Sequence, residues 1–138
     1  MGYVEEDYLM RYFNQLGIVL SKILGLKKEG QFDEALEIID KALADFGLEN
    51  TDYYLSLDIQ DLENKRKKLQ VLNNIQIKIL ADLLLEKGEI EIDQGNHESG
   101  RNCYTRVLLL LNYLTEVEKT FSFEREEKIS KIKKILDA

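Results

Sequence analysis

The chain has 138 residues, 33% charged and 44% hydrophobic, with no proline, eight glycines and one cysteine. This composition suits one packed domain and excludes a disordered chain or one stapled by an internal disulfide. A net charge of −7 argues against nonspecific nucleic-acid binding, whose affinity rests on neutralising phosphates.

The absence of proline and the long runs of Leu, Ile, Glu and Lys predict an all-α fold. From about Glu6 to Glu29, Leu9, Phe13, Leu16, Leu20, Ile23 and Leu24 recur at steps of three and four. Tyr12, Val19 and Leu26 widen this stripe into an amphipathic helix. Glu6 and Asp7 suit its positive end, and Lys27 and Lys28 its negative end. Gly30 can take the left-handed conformation that closes a helix. A second helix then runs from about Phe32 to Phe46 with Ala35, Leu36, Ile39, Ala42 and Leu43 inward, and Gly47 stops it. This first hairpin spans about 6–47.

An irregular connection over 48–68 is expected to hold a short helix and a solvated basic bend at Lys65-Arg66-Lys67-Lys68. The second hairpin, about 69–118, opens with a helix from Leu69 to Gln94. Its apolar residues cover so much of its circumference that it is expected to be central. Gly95-Asn96 is a turn signal, followed by a helix from about Glu98 to Glu118. A last helix, 122–137, is capped by Ser122 and carries Phe123, Ile129, Ile132 and Leu136 inward. The expected fold is therefore about six helices in one compact domain.

Gly30, Phe32, Ala35, Ile39 and Ala42 resemble the turn and second helix of a tetratricopeptide repeat, a 34-residue helix–turn–helix unit. Gly88, Gly95, Gly100, Tyr104 and Val107 repeat the pattern more weakly, and Lys22 and Ile23 depart from it. The resemblance implies stacked hairpins whose first helices line a peptide-binding groove. The corresponding positions are Gly17, Leu20, Leu24, Lys27 and Lys28 in the first unit. In the second they are Asp82, Leu85, Glu89, Ile92 and Asp93. Leucines at 20 and 24 stand where chaperone-binding members hold a carboxylate clamp, so the groove is expected to be apolar with charged lips. The whole chain is also similar to a family of short bacterial proteins with no assigned activity. The segments Asp7-Tyr8-Leu9-Met10-Arg11 and Ile23 to Gly30 carry that similarity.

The remaining chemistry-bearing residues point to structure. Glu86, Glu89 and Asp93 share a helix face, but with a single histidine and no Glu-x-x-His pair they read as a solvated acidic face. His97 stands where the first unit has Phe32 and is expected to pack against the turn; Cys103 reads as a buried small hydrophobe. No nucleophilic triad, phosphate loop or zinc pair is present. Neither catalysis nor a cofactor is expected. No apolar run reaches the ~18 residues of a membrane span, and the acidic start lacks a secretory signal, so cytoplasm is the default. The expected role is a protein-interaction module for a peptide or helix, the alternative a homodimer that buries the apolar helix face. Residues 1–63 hold 14 acids and 5 bases, net −9, and 64–138 hold 12 and 14, net +2. Attraction between copies would therefore depend on salt.

Overall fold

A computed structural model of the chain describes residues 2–49, 69–70, 72–119 and 121–138, with side chains from Met10 onward. Among these residues there are five helices and no strand: α1 Gly2–Lys28, α2 Phe32–Asp45, α3 Asn74–Asp93, α4 His97–Glu118 and α5 Phe123–Asp137. The short helix and basic bend expected within 48–68 fall almost wholly outside the described residues.

Three helices stop in the same way. Gly30, Gly47 and Gly95 have φ of 74°, 75° and 87°, values that cost a side chain but not glycine. In each case the next residue's N–H reaches back five residues: Gln31 to Leu26 O, Leu48 to Leu43 O and Asn96 to Glu91 O, at 2.8, 2.6 and 2.8 Å. The glycines themselves donate to Lys27, Ala44 and Ile92 carbonyls. These paired bonds satisfy carbonyls that a helix end leaves unpaired.

The α3 start differs from the expected Leu69. Asn73 Oδ1 accepts from Gln76 N at 2.8 Å and Gln76 Oε1 accepts from Asn73 N at 3.1 Å, a reciprocal cap that fixes Asn74 as the first helical residue. Ser122 caps α5 as expected, accepting from Arg125 N. At the other end of α5, Arg101 of α4 donates to the Ile135 and Leu136 carbonyls and ties that terminus down.

The helices pack α1 on α2, α2 and α1 on α3, α3 on α4 and α4 on α5. Three neighbours surround α3, so Ile77, Ile79, Leu80, Leu83, Leu84 and Ile90 are all buried. The α3–α4 crossing is the closest. A Cβ on Gly88 would lie 3.1 Å from Cys103 Cβ and 3.3 Å from Gly100 O. One on Gly100 would lie 2.4 Å from Ile92 Cγ1 and 3.0 Å from Gly88 O. The alanine that a tetratricopeptide repeat favours at the Gly100 position would therefore collide.

The expected α1 core stripe is too wide. Leu16 and Ile23 are buried, but Phe13 and Leu24 are exposed, because the arc of α1 packed on the core runs through Tyr12, Leu16, Val19, Leu20, Ile23 and Leu26. Phe123 is likewise exposed, while Ile129 and Ile132 carry the contact of α5.

Two substitutions check this packing by thermal or chemical denaturation. Gly100→Ala is expected to destabilise by about 1–3 kcal/mol, since Ile92 and the facing backbone must move apart. Gly17→Ala is expected to stabilise the isolated chain by about 0.5–1 kcal/mol, because the site is helical and nothing described lies within 4 Å of the added carbon.

Candidate functional site

Along α1, Met10, Phe13, Gly17, Leu20 and Leu24 follow one another at steps of three and four, so they share a face beside the buried one. Met10, Phe13 and Leu24 are 62%, 51% and 51% exposed, which makes a long apolar strip on the surface. Leu20 is half-buried and leans on the core.

A cleft of about 280 Å³ meets this strip at Phe13. Its floor is Leu111 and Leu114 of α4, and its walls are Lys78 and Asp82 of α3 with Ser122, Glu124, Arg125 and Lys128 around α5. The charges are paired across the helices. Glu118 joins Lys78 at 3.1 Å and Arg125 at 2.9 Å. Lys128 joins Asp82 at 3.2 Å and Glu124 at 3.6 Å. Burial raises the Asp82 pKa, and the charge and hydrogen bond of Lys128 oppose that shift only in part.

At the far end of the strip, Lys27 Nζ reaches Glu86 at 2.9 Å and Glu89 at 2.5 Å, locking α1 to α3. Two of the expected groove positions, Lys27 and Glu89, thus neutralise each other. Glu86 and Glu89 belong to this internal pair rather than to a separate solvated acidic face; Asp93 is exposed. Leu85 and Ile92 are half-buried against the core, and Lys28 is exposed. The strip and cleft bring together Leu20, Leu24 and Asp82 with residues that sequence reasoning left out: Lys78, Glu118, Arg125 and Lys128. Phe13 belongs to the apolar stripe that periodicity gives α1. The only available signal for it was a stripe on α1 wider than two neighbours can cover.

His97 is exposed at the first position of α4, unlike the half-buried Phe32 that it replaces in the pattern. Cys103 is buried, and that burial pushes its thiol pKa up. Among the described residues no group of three or more His, Cys, Asp or Glu is placed to hold a metal ion. None of the described helices is long and apolar enough to cross a membrane. Comparison with protein-family models, with curated proteins and with solved structures finds no match.

Two raised pKa values set an alkaline limit. Burial alone would lower that of Lys27, but the hydrogen bonds and charges of Glu89 and Glu86 outweigh it and raise it. Burial, helped by the Glu89 charge, pushes Tyr104 up to about 12. Both groups hold their protons more tightly when folded. Their contribution is therefore complete below about pH 10 and is lost as pH rises through the folded values. Denaturation midpoints are expected to fall between about pH 10 and pH 12. Tyr104→Phe should shrink that fall.

Proposed function

We propose that this chain is a non-catalytic, tetratricopeptide-like interaction module that takes a peptide or helix along the α1 strip and the adjoining cleft. The observation that carries this is the row of exposed Met10, Phe13 and Leu24 on one helix face. Water-facing apolar side chains in such a row are suited to covering by a partner. Asp82 adds to it: a carboxylate in a cleft whose pKa is raised by burial beside a specific charge partner is a feature of functional sites.

The order of helix packing favours the repeat-like part of the proposal. Stacked helical hairpins place each first helix against the next first helix, as α1 lies on α3, and each second helix between its own and the following first helix, as α2 lies between α1 and α3. The glycine-closed turns at Gly30 and Gly95 and the small residues Gly88 and Gly100 agree with it. A bacterial cytoplasmic setting belongs to the same proposal and rests on the sequence resemblance.

Leu24 is the cleanest probe, because Leu20 and Leu85 also touch the core and their replacement by aspartate would unfold the chain. Peptides of about four helical turns, displayed on phage and selected on the folded chain, are expected to be apolar at steps of three and four. They should bind Leu24→Asp at least about tenfold more weakly, with its circular dichroism unchanged. Enrichment indifferent to the substitution would overturn the proposal.

A further inference from the structure

We infer that the helix seated on the α1 strip is α1 of a second copy, running antiparallel, with the two-fold axis at Gly17. This rests on reading the strip as a helix-binding surface, and goes beyond it by naming the occupant. Three features of α1 converge on it.

The first is Gly17 itself. A glycine inside a 27-residue helix weakens that helix relative to alanine, and nothing described in its own chain lies within 4 Å of where a Cβ would stand. A glycine in the middle of an apolar strip lets a second backbone approach where a side chain would hold it off.

The second is the placement of the apolar residues about that point. Met10 and Leu24 lie seven residues either side of Gly17. A two-fold axis there sets Met10 of each copy opposite Leu24 of the other, so both exposed residues are covered in one contact. Phe13 and Leu20 flank the axis on the same face. The step pattern of three and four is the one that two packed helices need for a continuous seam.

The third is charge. Glu6 and Lys28 lie eleven residues either side of Gly17, so the same axis sets each opposite the other. Glu5 and Asp7 reinforce the acidic end, and Lys28 is exposed at the basic end. Lys27 is already held by Glu86 and Glu89, which leaves Lys28 for the contact between copies. A parallel pairing would stack like charges at both ends, whereas the antiparallel one neutralises them. The resulting interface is isologous and closes at two copies.

Light scattering after size-exclusion chromatography, over a dilution series, reads the assembly directly. Wild type is expected to be a dimer that dissociates on dilution. Gly17→Leu and Leu24→Asp should each raise the dissociation constant at least about tenfold with unchanged circular dichroism. Gly17→Ala separates the two roles of that site: it should raise the thermal midpoint of the monomer while weakening the dimer. Glu6→Lys or Lys28→Glu alone should weaken the dimer, and the double charge swap should restore it. A wild type monomeric throughout the series, or a dimer indifferent to Gly17→Leu and to the charge swap, overturns the inference. If such a monomer still selects peptides through Leu24, self-pairing alone has failed; if Leu24 matters to neither measurement, the helix-binding reading has failed with it.

Discussion

The close crossing of α3 and α4 is the contact on which the rest of the molecule depends. Gly88 and Gly100 face each other with no room for a methyl group on Gly100, and this fixes the two helices as one unit. Every other helix is then placed by what it can reach on that unit. α2 packs its Ala35–Ile39–Ala42–Leu43 face between α1 and α3, and α5 closes the opposite side through Ile129 and Ile132. The small residues in α2 and at the α3–α4 crossing serve one purpose, which is to bring backbones near enough for the larger side chains around them to interlock.

Polar contacts do the indexing that apolar packing does not. Lys27 between Glu86 and Glu89 holds α1 in register on α3, and Lys128 on Asp82 does the same for α5. The Glu118 carboxylate, shared by Lys78 and Arg125, joins the end of α4 to α3 and to the start of α5. Such part-buried pairs add little net stability, because desolvation offsets most of the attraction, but a mispaired charge would cost more than a paired one returns. They therefore select one arrangement of helices. Several charges lining the cleft are already satisfied, whereas Met10, Phe13 and Leu24 on the α1 strip keep apolar surface in water.

Helix α1 is in this sense underused by its own fold. Among the described helices α2 and α3 pack on it, and its apolar band is broader than they cover. Its uncovered arc holds Met10, Phe13 and Leu24 around a glycine that the described chain gives no steric reason to keep. A helix with acidic residues at its start and lysines at its end is also charge-complementary to its own reverse. The apolar surface on this face follows from what the packing leaves over.

Local signals in the sequence determined where most helices begin and end. Glycines 30, 47 and 95 closed their helices because only they take positive φ freely, and Ser122 opened the last one by capping a free N–H. The breadth of apolar residues on α3 was enough to make it central, since no other environment satisfies such a helix. Even the missed start of α3 was legible, in the reciprocal pairing of Asn73 with Gln76. Tertiary structure decided which arc of α1 is covered, and so left Phe13 and Leu24 of the apolar stripe on the surface. It also decided that Lys27 meets Glu86 and Glu89, and that α1, α3, α4 and α5 share a cleft. Periodicity reports that a helix has an apolar side; how much of that side is buried depends on how many neighbours reach it, and those neighbours are distant in sequence.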